Sequence, residues 1–356
     1  MIDFPSSPTL GQVFNSGTGT IYTWDGVAWN LTTQTNTADR RNRIVNGAMQ
    51  ISQENGTTAV TANGFPVDQW KLGVSSSSSV TAAKQIGGNA VVVTAVPPET
   101  SAAAAESVQL FQPIEGINLA DLRLGTALSL QLVIAFDVNI PVAGTYWVAL
   151  GTYTGTHTWL GSYTISAAEV GTWVRKAVVV PAGAINAGTW PVDNTACATL
   201  HFPFHCGSSL IGVAGFQSGN LLAGPGQALG LSTAGTCAVA NVGLYADPNR
   251  TGIAPPFEMP DFAIELAKCK RYWQPMIMDL VANATAAGQF FGVQYPFPTE
   301  MRVVPTLAML SNGTPTNVSS VAFDSPTTLT CRTIITSAAA GTFACAIRSG
   351  QANARM

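Results

Sequence analysis

A chain of 356 residues with a net charge of −3 is long enough for two or three domains rather than one ordinary core. Charged residues make up only 10% of it, against about a quarter in a typical soluble domain, while hydrophobic residues stand at 47%. Thr, Ser, Asn, Gln and Gly take the place of the missing charge, which speaks against a freely diffusing cytoplasmic monomer, and the lack of a Lys/Arg stripe speaks against nucleic acid as a partner.

The opening Met1 to Pro8 has neither a basic n-region nor an apolar h-region, so no export leader is expected. No apolar run approaches the ~18–20 residues of a membrane span, and no membrane insertion is expected. Residues 1–35 read as a small module. Ile21–Trp24, a turn at Asp25-Gly26 and Val27–Trp29 predict a β-hairpin, because Asp-Gly between apolar strands is a strong hairpin signal. So small a unit buries too little surface to stand alone. Its apolar rings, Phe4, Phe14, Tyr22, Trp24 and Trp29, are the candidates for attachment to a partner. A polar linker follows over 33–43, and its Arg40, Arg41 and Arg43 read as solvated.

Residues 36–260 predict many strands separated by turns, supplied by the chain's 34 Gly and 21 Pro. Leu128, Leu130, Leu132, Ile134, Phe136 and Val138 alternate with polar positions, as on a half-buried antiparallel strand. Ala198, Leu200, Phe202, Phe204 and Cys206 repeat the pattern, with Pro203 outward and suggestive of an edge. Trp173–Val180 gives a third strand. This spacing predicts a jelly-roll β-sandwich. Asp261 caps one short helix, with Phe262, Leu266, Cys269 and Trp273 as its apolar stripe and Pro275 as its stop; residues 261–274 form this unit. Residues 275–356 return to strands and predict a second, smaller β-sandwich. The fold class is therefore mainly β.

Chemistry is sparse. There is no Gly-x-Ser-x-Gly elbow, Walker loop or dinucleotide-binding loop, so no catalytic residue and no cofactor are expected. Six cysteines, none in a Cys-x-x-Cys pair, read as reduced buried thiols. His201 and His205 lie four residues apart on a strand, about 13 Å, too far to share one ion, so no metal is expected and both read as polar-face side chains. Glu106, Glu115, Asp137, Glu169 and Asp193 leave a glycosidase pair open, since such pairing depends on spatial separation. The stretch Gly151–Gly161 reads as a Thr-rich hairpin tip, while Trp147 points to the core. In that tip Tyr153, His157 and Trp159 would suit a sugar, whose C–H faces pack on rings and whose hydroxyls pair with neutral groups. The alternative for Trp159, and the favoured one, is that it fills a gap between protomers.

Several segments carry a resemblance. Asn42 to Gln53, followed by Val67-Asp-Gln-Trp-Lys71, resembles the opening of bacteriophage tail-fibre and head-fibre domains. Ala240–Leu244, Ala254–Glu258 and Glu265–Gln274 resemble their end, and Tyr295–Thr306 resembles the start of the terminal sandwich that follows them. The N-terminal Phe-Pro-Ser-Ser-Pro and Trp-Asp-Gly-x-x-Trp pattern resembles connectors of phage structural proteins. The resemblance implies a homotrimeric virion appendage with a jelly roll akin to carbohydrate-binding modules, made in the host cytoplasm and located on the virion. Its partners would be other virion proteins, through residues 1–35, and host surface polysaccharide. Head or tail placement stays open, as do two alternatives, a purely structural decoration protein and a polysaccharide-depolymerising spike.

Overall fold

A computed structural model of the chain describes residues 3–15, 21–32 and 40–356. The linker expected over 33–43 lies outside the described residues up to 39. Strands β1 (Val13–Asn15), β2 (Ile21–Trp24) and β3 (Trp29–Thr32) form an antiparallel sheet in that order. The turn between β2 and β3 has four residues, not the expected two, because Trp24 pairs with Trp29. Asp25 Oδ1 accepts from the backbone N–H groups of Val27 and Ala28, both at 2.8 Å, and this side-chain turn replaces an Asp-Gly hairpin turn.

The middle of the chain folds as a jelly-roll β-sandwich. Its strands are β4 (Lys71–Ser75), β5 (Ser79–Lys84), β6 (Val91–Val96), β7 (Ser107–Glu115), β8 (Leu132–Asn139), β9 (Gly144–Thr152), β10 (His157–Ile165), β11 (Val174–Val180), β12 (Ala196–Cys206), β13 (Gly215–Ser218) and β14 (Thr236–Ala246). One sheet has the order β13-β10-β9-β12-β7-β4 and the other β11-β8-β14-β6-β5. The inward residues of both meet in one core, where Phe136 of β8 and Phe202 of β12 touch edge to face at 4.9 Å. Trp70, fully buried, packs on Phe202 and donates from Nε1 to the Asn46 carbonyl. Asn46, at φ 54°, ties the entering chain with side-chain bonds to the carbonyls of Ile51 and Asp68. These contacts give the Asn-rich opening and the Asp-x-Trp their structural role.

Four expectations here need correction. β8 starts at Leu132, not Leu128, which is exposed because a turn occupies Thr126–Ser129. Its polar-side positions Val133 and Ala135 are buried too, beneath Tyr245 and Ala254. Pro203 lies in a central strand; it is tolerated because β12 pairs with β9 only over Ala198–His201 and bulges after Pro203. Arg43 is buried rather than solvated, with its guanidinium on both carboxylate oxygens of Asp121 at 2.5 and 2.9 Å.

Helix α1 (Phe262–Lys270) is capped by Asp261 Oδ1, which accepts from the N–H groups of Ala263 and Ile264 at 3.0 Å each. It ends three residues before Trp273, and its buried side carries Glu265 and Cys269 while Phe262 is exposed. The expected stripe fails because Trp273 already pairs with Asn353, and Pro275 continues that strand opposite Gln351 instead of stopping a helix.

The remaining strands are β15 (Trp273–Ala284), β16 (Phe290–Pro296), β17 (Thr306–Asn312), β18 (Val318–Asp324), β19 (Thr330–Ser337) and β20 (Gly341–Asn353). They form two three-stranded sheets, β15-β20-β17 and β16-β19-β18. Met276, Met301 and Cys331 fill one core, and Ile335, Phe343 and Cys345 fill another. The Arg302 guanidinium donates to the Asn194 carbonyl, and Asn194 returns a bond to the Arg302 carbonyl, which joins this unit to the jelly roll. All six cysteines are free and buried. Among the described residues no helix is long and apolar enough to cross a membrane.

Candidate ligand-binding face

The β9–β10 hairpin positions the three residues singled out in the sequence. Thr152 Oγ1 accepts from the N–H groups of Thr156 and His157 and so closes a four-residue tip, Tyr153–Thr156. Tyr153 sits on this tip with 46% of its surface exposed. His157 starts β10 and stacks on Phe216 of β13 at 5.5 Å and 10°.

Trp159, two residues along β10, lies on the same face of the sheet as His157 but deeper in the sandwich. It lies in the main core at 4% exposure, and its ring covers Gly161, where an added Cβ would come within 2.2 Å of the indole. Trp159 is thus a packing residue inside this chain, neither a sugar contact nor a filler between protomers. The local pattern could not reveal this, because Trp159 and Leu160 are both apolar and both buried, on opposite faces of the sheet. Trp147 was expected in the main core. It lies instead on the outer face, in a small second core with Ala149, Leu160, Leu222 and Ala223. The loop after β12 covers that part of the sheet.

Beyond that loop the outer face holds a row that sequence reasoning missed. Lys71 pairs with Phe111 and Phe111 with His201, so three side chains from β4, β7 and β12 stand side by side on one face. Phe111 and His201 stack at 5.4 Å and 24°. His201 Nδ1 is 2.7 Å from Gln109 Oε1, which leaves Nε2 as an acceptor. Burial pushes the His201 pKa down to about 3, so the ring is neutral at physiological pH. Lys71 Nζ lies 5.9 Å from the Phe111 ring and 6.0 Å from that of Phe65. Next to it, the Arg355 guanidinium covers Phe65 at 4.2 Å and Trp273 at 5.2 Å. Gly73 supports the row from below: a Cβ there would approach Gln109 to 2.9 Å and Phe111 to 3.1 Å. The one available signal was the alternation Gln109, Phe111, Pro113 on the face opposite Val108, Leu110 and Ile114.

The carboxylates considered for a glycosidase pair are tied to separate partners. Glu115 accepts from Arg271 at 2.7 Å and from the Tyr272 hydroxyl at 2.8 Å. Asp137 accepts from Arg175 and Asn241. Lys176 and Ser166 bind Glu169 and hold its pKa down to about 2, and Thr195 lowers that of Asp193. A general acid needs the opposite shift. Glu106 takes the Ala103 N–H.

The expected attachment residues of the N-terminal module pack on one another. Phe4 stacks on Trp29 at 5.4 Å and meets Tyr22 at 4.8 Å and Phe14 at 5.1 Å, while Trp24 touches Trp29 at 5.6 Å. Leu10, Val13 and Val27 are the large apolar side chains this module leaves exposed among its described residues.

Fold and face together define a mainly β protein: a jelly-roll sandwich with an aromatic row flanked by Lys71 on one sheet, joined to a smaller strand unit. No protein-family model matches the chain, and no curated protein matches it. Among solved structures it is similar to the enzymatically active domain of tailspike protein 4 of bacteriophage CBA120, at 12% identity and a TM-score of 0.31, over 58% of this chain and 21% of that one. The chain therefore spans about a fifth of that tailspike domain. It is also similar to a family 11 carbohydrate-binding module of a Clostridium thermocellum cellulase, at 15% identity and a TM-score of 0.28, over 55% of this chain and 95% of that one. A third is a xylan-binding domain from Paenibacillus barcinonensis, at 9% identity and a TM-score of 0.25, over 59% and 96% of the two chains.

Proposed function

We propose that this protein is a non-catalytic virion appendage, a homotrimeric fibre or spike subunit whose jelly roll adheres to host surface glycans and whose residues 1–35 attach it to other virion proteins. The observation that carries the adhesive part is the Phe111–His201 stack on an open sheet face, with Gln109 and Lys71 at its sides. A sugar presents an apolar C–H face and a rim of hydroxyls. A neutral ring plane flanked by an amide and an ammonium matches both, and its rings are already held in place. Tyr153 extends the surface at the hairpin tip, roughly 13 Å along β9 from the position paired with His201, whereas His157 turns to the Phe216 side of the sheet.

The virion setting rests on the ordered resemblance to phage appendages. Self-association is supported by the C-terminal unit, which exposes Ile277, Val281, Phe290 and Leu310 at 59% or more of their surface. Binding without cleavage is supported by the separate ties of the candidate carboxylates. The test is Phe111→Ala. Losing one ring should cost about 1–2 kcal/mol per site, roughly 5- to 30-fold in affinity for host polysaccharide. A folded Phe111→Ala protein with unchanged glycan affinity refutes this surface.

A further inference from the structure

A third cluster of side chains lies at one end of the jelly roll, away from the aromatic row. The bulge after Pro203 sets His205 opposite Val108, a core residue of β7, so the imidazole turns inward instead of lying on the polar face. There it is fully buried, and neither Nδ1 nor Nε2 has a hydrogen-bond partner. An unpaired buried imidazole is costly and calls for a partner. The segment between β6 and β7 brings Glu99 and Glu106 over it. One oxygen of each carboxylate and one ring nitrogen of His205 lie within 4.8 Å of one another.

We propose that Glu99, Glu106 and His205 bind a single first-row divalent transition cation of the Zn²⁺ or Mn²⁺ type. One imidazole and two carboxylates form a nitrogen–oxygen donor set that suits such ions better than an all-oxygen Ca²⁺ or Mg²⁺ cage. Ligand atoms around tetrahedral Zn²⁺ stand about 3.4 Å apart, so the triangle, with its atoms within 4.8 Å, has to close by up to about 1.4 Å. Side-chain rotation of Glu106, which is half-buried on a loop, supplies that movement.

The surroundings already order the ligands. Glu99 Oε1 accepts from the Ser76 hydroxyl and, at 2.8 Å, from the Ser78 N–H, while Glu106 Oε2 accepts from the Ala103 N–H at 2.8 Å. These bonds orient each carboxylate from behind, as outer partners of metal ligands do. Bound metal would pin the 97–106 segment to the end of β12, next to the loop that covers Trp147.

The experiment uses the full chain stripped with chelator, titrated calorimetrically with ZnCl₂ and in parallel with MnCl₂ and CaCl₂, with metal per chain counted by mass spectrometry. The expected result is one Zn²⁺ or Mn²⁺ per chain, preferred over Ca²⁺, with a rise in melting temperature. Glu106→Gln, on a half-exposed loop and compatible with folding, should weaken binding by about tenfold or more, and His205→Gln should do the same. Failure of the wild-type chain to bind Zn²⁺ or Mn²⁺ overturns the proposal. So does binding that both variants leave unchanged, or a Ca²⁺ affinity equal to that for Zn²⁺. None of these outcomes bears on glycan adhesion, which rests on other residues.

Discussion

Trp159→Ala separates packing from recognition. The indole is 4% exposed in the main core, and Gly161 beneath it has no side chain to fill the space. Removing so large a buried ring costs about 3–5 kcal/mol, from lost transfer energy and the cavity left behind. At about 2–4 °C per kcal/mol for a domain of this size, the melting temperature should fall by roughly 6–20 °C. Glycan affinity per folded molecule should change little, because the ring does not reach the surface of the chain. The assay is paired on one preparation: calorimetric melting, then retention on immobilised host polysaccharide at a temperature where the variant is folded. A Trp159→Ala protein that melts like wild type but no longer binds would refute the placement of this residue.

Three further outcomes follow from the same geometry. The His201 pKa is depressed to about 3 in the folded chain against about 6.5 unfolded, so the unfolded state binds more protons between these values. Its contribution is complete above pH 6.5 and is lost as pH falls toward 3; melting scans between pH 7 and 5 should show a decline that His201→Gln makes shallower, and identical slopes would contradict the assignment. Light scattering should give three times the 37.0 kDa chain mass, and Phe290→Glu, at a ring 75% exposed, should shift the protein toward monomer without unfolding it; a wild-type monomer at micromolar concentration contradicts the trimer. Deleting residues 1–35 should leave a soluble trimer that binds cells but is missing from virions, and normal incorporation would remove the attachment role.

The broad architecture was legible because period-two alternation and turn residues are local signals. β8, β11 and β12 are strands for the reasons their sequences suggest, whereas β10 begins inside the stretch Gly151–Gly161 that reads as a hairpin tip. The faces were harder to read. Trp147 and Trp159 sit on strands buried on both sides, so parity alone could not say which ring enters the main core. His205 was assigned to the polar face by counting from His201, and the bulge after Pro203 reversed that count. The helix was extended past Lys270 because Trp273 fits its stripe, although that residue is held by a partner strand eighty positions away in sequence. Similarly, the Lys71–Phe111–His201 row needs the pairing of three strands that are distant in the chain, and no local pattern contains it.

The central claim, adhesion without cleavage, is tested most directly on one mixture of purified protein and polysaccharide from the host surface. Bound protein is measured by co-sedimentation and released reducing ends are measured in the supernatant. The account predicts protein in the pellet, displaced by soluble polysaccharide, with reducing ends no higher than in the protein-free control. Reducing ends that accumulate with time would make the protein a depolymerase, and protein that stays in the supernatant would leave it a structural part with no receptor.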